Sequence, residues 1–394
     1  MRGSVVKRVN AKGRAAYYVV VDEVDSGTGK RRRRWHTDPA SGQAFTTRKA
    51  ADQYNNGVVA SVHSGQYVSP NKIAVAEYLA AWLQAIKPTI KLSTWASYEK
   101  NVRLHVIPHL GRVELAHLTA LHLDRLYAHL LTKGRQDGTG GLSARTVKYV
   151  HTIVGRALKD AARKGLVVRS VARDADPPKS STTRADVMRT WTGEETGRFL
   201  HLVAEHRFGS LFVFLASTGC RRGEALGLRW RDVNLDGDQP RASIRQTVTK
   251  VAGQTLIGTT KTNQGRRVLV LDQQLVDDLK VHRRRQAEQR LLLGAGWRDN
   301  DLVFPNHIGD PQAPETVSRV FRELVDKAGL PPIRLHDLRH GWATLALEAG
   351  IHPKVVQERL GHANIAITLG TYSHVAPTMH ESAAATVAGM IRGN

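Results

Sequence analysis

Between residues 176 and 189 the chain carries Pro177 and Pro178, followed by a Ser/Thr-rich run. No other stretch restricts the architecture more. Adjacent prolines fix φ and remove backbone donors, so neither a helix nor a central strand passes through them. We read the stretch as a linker between separately folded bodies, which agrees with roughly 100–200 residues per domain in a chain of 394. We read three blocks, 1–66, 67–175 and 190–394, with 176–189 as a linker. The expected class is mainly α with small β sheets.

The first block reads as a small three-stranded sheet plus a helix. Ser4–Asn10 and Ala15–Glu23 are β-rich and flank a turn at Gly13, and Lys30–Thr37 follows a turn at Ser26–Gly29. Thr46 or Thr47 then caps a helix reaching about His63. The block holds 12 basic and 5 acidic side chains, and Arg31, Arg32, Arg33 and Arg34 are consecutive. Alone, that run reads as a solvated strand or basic arm. As a DNA-binding feature it would place guanidiniums against guanine or phosphate, since strands can enter a groove.

The second block reads as a helical bundle, with helices at Ile73–Ile86, Thr94–Val106, Leu121–Lys133 and Ala144–Lys164. Pro108 and Gly111 are expected to close the second of these. Val147, Val150, Val154, Ala157, Leu158 and Ala161 recur at helical spacing and mark a core face. The third block opens with a helix capped by Thr192 and is helical again in its second half. Between lie three expected strands, Ala242–Val251, Thr255–Thr260 and Arg266–Leu271.

Charge narrows the partner. The formal net charge is +23 and the sequence pI about 10.5, so the surface suits a polyanion, most often nucleic acid. No apolar run approaches the ~18 residues of a spanning helix, and the first ten residues lack the apolar core of a signal peptide. No membrane partner is therefore expected. Cys220 is the single cysteine, which excludes an internal disulfide framework and points to a reducing, cytoplasmic location.

The chemistry-bearing residues are scattered through the third block. Ser217–Leu228 reads STGCRRGEALGL, placing Arg221 after the Gly219 turn with Glu224 three residues on. Alone, this is a surface ion pair on a capped helix. Lys261 sits in the turn between the last two expected strands, where an ammonium is commonly just solvated. Arg334–His340 reads RLHDLRH, so His336 and Arg339 share a helix face. His336 and His340 also have the spacing of a zinc-binding helix. Asp337, however, is a methylene shorter than the usual Glu, and Arg339 would repel a dication. His362 follows the Gly361 helix stop, and Tyr372 lies ten residues further.

Arg221, Lys261, His336, Arg339, His362 and Tyr372, in that order over about 150 residues, resemble the catalytic set of the tyrosine recombinases, the phage-integrase family. The resemblance implies a helical core-site-binding domain at 67–175 and a mixed α/β catalytic domain at 190–394. The basic block 1–66 is similar to the arm-site-binding domain of lambda-type integrases. Tyr372 would attack a phosphodiester, with Arg221 and Arg339 on the non-bridging oxygens. His336 and His362 would bond the phosphate, and Lys261 would protonate the departing 5′ oxygen. Of the two nearby lysines, Lys261 is favoured over Lys250. Glu224 would support the Arg221 turn. The resemblance implies no metal, nucleotide or other cofactor. It implies double-stranded attachment sites as substrate, a homotetramer on DNA, and room for a directionality factor and a DNA-bending host protein. A Xer-type resolvase and a non-catalytic DNA-binding protein on the same fold are the alternatives.

Overall fold

The computed structural model describes residues 3–9, 14–24, 31–39, 41–63, 72–179, 189–259, 265–372, 388 and 390–392. These belong to two compact units, 1–181 and 182–394. Lys261 and most of the Ala-rich C-terminal stretch, Met379–Asn394, lie outside the described residues, as do the backbone at Lys30 and the side chains of Arg31, Arg32 and Tyr372.

In the first unit β1 (Gly3–Val9), β2 (Ala15–Val24) and β3 (Arg31–His36) form an antiparallel sheet in that order. Helix α1 (Arg48–His63) covers one face. Thr47 caps it, its hydroxyl accepting the Ala50 N–H at 3.2 Å. Val19 and Val21 meet Ala51 and Val58 in the small core beneath α1, with Phe45 closing one side. Strand alternation divides the arginine run. Arg34 shares the helix-side register with His36, whose ring is buried 3.2 Å from the Tyr54 hydroxyl. Arg33 shares the opposite register with Trp35, which lies under the Arg8 guanidinium at 4.2 Å and edge-on to Tyr18 at 5.6 Å.

The remainder of the unit is helical: α2 (Val75–Ile86), α3 (Leu92–Asn101), α4 (Ile107–Leu110), α5 (Ala120–Lys133) and α6 (Ala144–Arg163). Thr119 and Ser143 cap α5 and α6 as their sequence positions imply. Pro108, however, does not close the second helix. A π turn at Val102–Val106 joins α3 to α4, and the Ile107 N–H reaches the Val102 carbonyl, five residues back. The widened turn accepts a proline that an unbroken α-helix would reject, and Gly111 supplies the stop. The core contains Val147, Val150, Val154, Ala157, Leu158 and Ala161, the stripe expected of α6. Trp82 stacks on Tyr98 and donates its indole N–H to Asp160 at 2.9 Å.

In the second unit α7 (Gly193–Leu202), capped reciprocally by Thr192 and Glu195, and the apolar α8 (Gly209–Thr218) enter a core of Trp191, Phe199, Phe212 and Phe321. Short α9 (Arg222–Leu226) follows, then β4 (Val233–Asn234), β5 (Arg241–Ile244), β6 (Gln246–Val251), β7 (Gln254–Thr259) and β8 (Arg267–Val270). The strand expected over Ala242–Val251 is two strands in different sheets, β4-β5-β8 and β6-β7. At the changeover Arg245 pairs with Asp232 at 3.2 Å, and the Gln246 amide donates to the Gly227 carbonyl at 2.9 Å. These bonds anchor the chain as it leaves one sheet for the next. A two-residue turn at Ala252-Gly253, both with positive φ, closes the β6–β7 hairpin. The rest is helical: α10 (Gln273–Leu293), α11 (Pro314–Lys327), α12 (Asp337–Glu348), α13 (Pro353–Leu360) and α14 (Ile365–Tyr372). Among the described residues no helix is long and apolar enough to cross a membrane.

Trp82→Ala removes a ring that is 2 % exposed together with its bond to Asp160. It should cost the first unit about 3–5 kcal/mol, read as a lower denaturation midpoint in urea.

Candidate active site

The apolar α8 ends at Gly219, whose φ of +65° turns the chain sharply towards Arg221. A Cβ there would lie 2.8 Å from the Leu360 side chain and 3.1 Å from the Trp342 ring, so the position requires glycine twice over. Arg221 caps α9, and Glu224 folds back from its first turn. The Glu224 carboxylate accepts the Arg221 backbone N–H at 3.1 Å and its Nη1 at 2.8 Å, and Cys220 Sγ donates to it at 3.4 Å. A second guanidinium, Arg267, lies 2.8 Å from the same carboxylate. Burial disfavours the ionised form of Glu224, but Arg267 and Arg221 outweigh it and hold the carboxyl down at about 2. Burial, reinforced by Glu224, raises the Cys220 thiol pKa, so this sulfur is a protonated filler.

Helix α12 brings His336 at its N-cap and Arg339 in its first turn. Arg339 is 2 % exposed. It donates to the Gly219 carbonyl at 2.9 Å and the Leu360 carbonyl at 2.7 Å. Arg221 Nη2 reaches the Gly361 carbonyl at 3.2 Å, and Arg267 Nε the Arg359 carbonyl at 2.5 Å. Three consecutive carbonyls at the C-terminus of α13 thus each accept a different arginine. Helix ends leave such carbonyls without internal partners, and the macrodipole makes them negative. His362 follows immediately. Its Nδ1 lies 2.8 Å from Oγ1 of the buried Thr368 on α14, the helix whose last residue is Tyr372.

The site is strongly cationic. Burial, and then the charge of Arg221, lowers Arg339 to about 10. Burial, with His340 and Arg339 next, pushes His336 down to about 4. His362 is also lowered to about 4, by burial and then by Arg339 and Arg221. Both imidazoles are therefore neutral at pH 7 and available as proton acceptors, beside fixed charges suited to an anion.

Arg221, His336, Arg339 and His362 are brought together by the fold. Tyr372 is placed through the α14 backbone alone. Lys250 pairs with Glu315 of α11 at 3.7 Å. The Arg31–Arg34 run belongs to the other compact unit. His336 and His340 meet edge-on at 5.0 Å, while Asp337 is occupied by Arg334 through two side-chain bonds and one from the backbone N–H. Among the described residues no group of three His, Cys, Asp or Glu side chains could hold a metal. Sequence reasoning missed Arg267 and Thr368. The signal for Arg267 was present, because β8 alternates and Arg267 falls on the inward register with Leu269. An arginine on a buried strand face requires a partner. No pattern marked Thr368.

Known proteins carry the same arrangement of elements. The family model described as phage integrase family matches residues 192–379, and one described as phage integrase, N-terminal SAM-like domain matches 74–131. A Caldanaerobacter subterraneus subsp. tengcongensis protein named tyrosine recombinase XerC-like is 25% identical over 360 residues, covering 86% of this chain and 89% of its own. Among solved structures, the Tn1549 transposon integrase in complex with a circular intermediate DNA superposes with a TM-score of 0.64 at 18% identity, covering 79% of this chain and 99% of that one. A lambda integrase dimer bound to a COC′ core site gives 0.55 at 17%, covering 93% and 94%. At these identities the structures speak for the fold, and the family models speak for descent. Both halves of the family's architecture are matched in order along one polypeptide, and the chain belongs to the phage integrase family, the tyrosine recombinases that cut and rejoin DNA at specific sites.

Proposed function

We propose that the chain is the integrase of a mobile element and that it cleaves DNA with the Tyr372 phenol. The phenolic oxygen forms a bond to phosphorus as the bond from phosphorus to the 5′ oxygen breaks, leaving a 3′-phosphotyrosyl link. The phenolic proton passes to neutral His336, and Lys261 protonates the departing 5′ oxygen. Arg221 and Arg339 bind the non-bridging oxygens and stabilise the charge that builds on them. His362, with Nδ1 on Thr368, offers Nε2 to the phosphate. Attack by a new 5′ hydroxyl reverses the step and rejoins the strand.

The observation that carries this reading is the convergence of Arg221 and Arg339 on consecutive carbonyls of one helix end, directly before His362. Backbone carbonyls hold both guanidiniums in place, so little reorganisation is required when charge develops. Double-stranded attachment sites are the substrate, a homotetramer on DNA the working assembly, and the cytoplasm the compartment. Residues 1–66 would bind arm sites and 67–175 core sites. On the sheet, the Arg33 and Trp35 register presents charge beside aromatic rings, which suits a groove. Arg31 and Arg32 belong to the same edge strand, and Arg34 to the helix-side register.

On a nicked duplex that loses its 5′ fragment after cleavage, the native chain should accumulate a covalent adduct mapping to Tyr372. Tyr372→Phe should bind the duplex within about threefold, since phosphate contacts carry the affinity, and form no adduct. Normal strand exchange by that variant would end the proposal. Sequencing the junctions formed beside the gene's own neighbourhood should return two recombined attachment sites.

Glu224→Gln strands the buried Arg267 charge and should lower the stability of the second unit by about 3 kcal/mol, measured by guanidinium unfolding. Because the His336 and His362 pKa values fall to about 4 in the folded chain from about 6.5 unfolded, the unfolded state binds more protons between those pH values. Their contribution to stability is complete above about pH 6.5 and is lost as pH falls towards 4. Thermal melts of His336→Gln/His362→Gln should therefore fall less steeply across that window than those of the native chain.

A further inference from the structure

Glu224 meets two arginines that are placed differently. The Arg221 side chain is 38% exposed and opens outward, whereas the Arg267 and Glu224 side chains are only 7% and 5% exposed. Arg267 occupies Oε2 at 2.8 Å beside the Arg221 backbone N–H, and Arg221 Nη1 takes Oε1 at 2.8 Å, so the carboxylate offers the Arg221 guanidinium one oxygen rather than a bidentate fork. Arg221 Nη2 then turns to the Gly361 carbonyl, which leaves the half-exposed fork further N–H donors for a ligand. Arg267 also holds the neighbouring Arg359 carbonyl at 2.5 Å and the Gly265 carbonyl at 3.3 Å. It therefore ties β8, α9 and the end of α13 together at one guanidinium. No lysine spans three such acceptors, because its ammonium is a compact point charge and not a planar fork.

We infer that Arg267 is a positioning residue for strand cleavage, which fixes the Arg221 fork and the α13 carbonyls that seat it, and touches no substrate itself. The inference rests on Arg221 being a phosphate ligand, as proposed above. Without Arg267, Glu224 would be left to pair with Arg221 alone. That draws the fork onto the carboxylate and away from the phosphate, while the Arg359 carbonyl loses its donor.

The test uses the full chain and a nicked duplex carrying the attachment site recovered from its own junctions. Single-turnover cleavage and duplex affinity are measured for native chain, Arg267→Lys, Arg221→Lys and Arg267→Lys/Arg221→Lys, with thermal melts alongside. Arg267→Lys should slow cleavage about 100-fold, the scale of a small misplacement of a reacting group, while binding DNA within about threefold of the native chain. In the Arg221→Lys background the same substitution should cost under about threefold, because residues acting through one group are not additive. Equal losses in both backgrounds, a loss of affinity matching the loss of rate, or cleavage within about threefold of native would each overturn the inference. Should Arg267→Lys fail to fold, the double variant Arg267→Met/Glu224→Leu removes the buried charges together, and native-rate cleavage by it is equally fatal. Absence of an adduct from the native chain would remove the reading of Arg221 and this inference with it. A normal adduct from the native chain beside unimpaired Arg267→Lys would remove this inference alone.

Discussion

The C-terminus of α13 is the constraint on which the catalytic unit depends. Three guanidiniums crowded around one carboxylate repel one another, and water is largely excluded from two of them. The carbonyls of Arg359, Leu360 and Gly361 offset part of that repulsion by receiving one guanidinium each. A helix end can do this because its last carbonyls are already oriented, partially negative and without intrahelical partners. Glu224 supplies the only full negative charge in direct contact with the group among the described residues. Burying ion pairs carries a large desolvation cost, so such a cluster persists only where nearly every donor is satisfied.

The arrangement also joins electrostatics to connectivity. The Gly361 carbonyl that seats Arg221 belongs to the residue before His362, and His362 is bonded to Thr368 on α14. A displacement of α14 would therefore reach His362, and through the adjoining peptide the seat of Arg221. Burial first, and then the closeness of positive groups, keeps both imidazoles neutral. Acceptors for a proton and donors for an anion can then coexist in one small volume, which a site with charged histidines would not allow.

Much of this was legible in the residues. Helical spacing in α6, the Thr119, Ser143 and Thr192 caps, and the sheet of the first unit follow from local rules of periodicity and capping. So did the grouping of Arg221, His336, Arg339 and His362, though only as an ordered set, since each residue alone has an ordinary surface explanation. The expected strand over Ala242–Val251 was misread because the break at Arg245 is held by Asp232 and Gly227, tertiary partners with no local signature. Pro108 was misread because the π turn that admits it is set by packing rather than propensity. Arg267 falls within the expected strand Arg266–Leu271, and only its inward register beside Leu269 sets it apart from the other basic residues.

The arginine run on β3 has a consequence apart from any ligand. Among the described residues β3 is an edge strand, hydrogen-bonded to β2 on one side only. An open strand edge is a template for another copy's backbone, and rows of like charge are among the devices that deter such pairing. Two antiparallel copies of Arg31–Arg34 would set guanidinium against guanidinium along the whole seam. Like charge at such an edge disfavours that pairing.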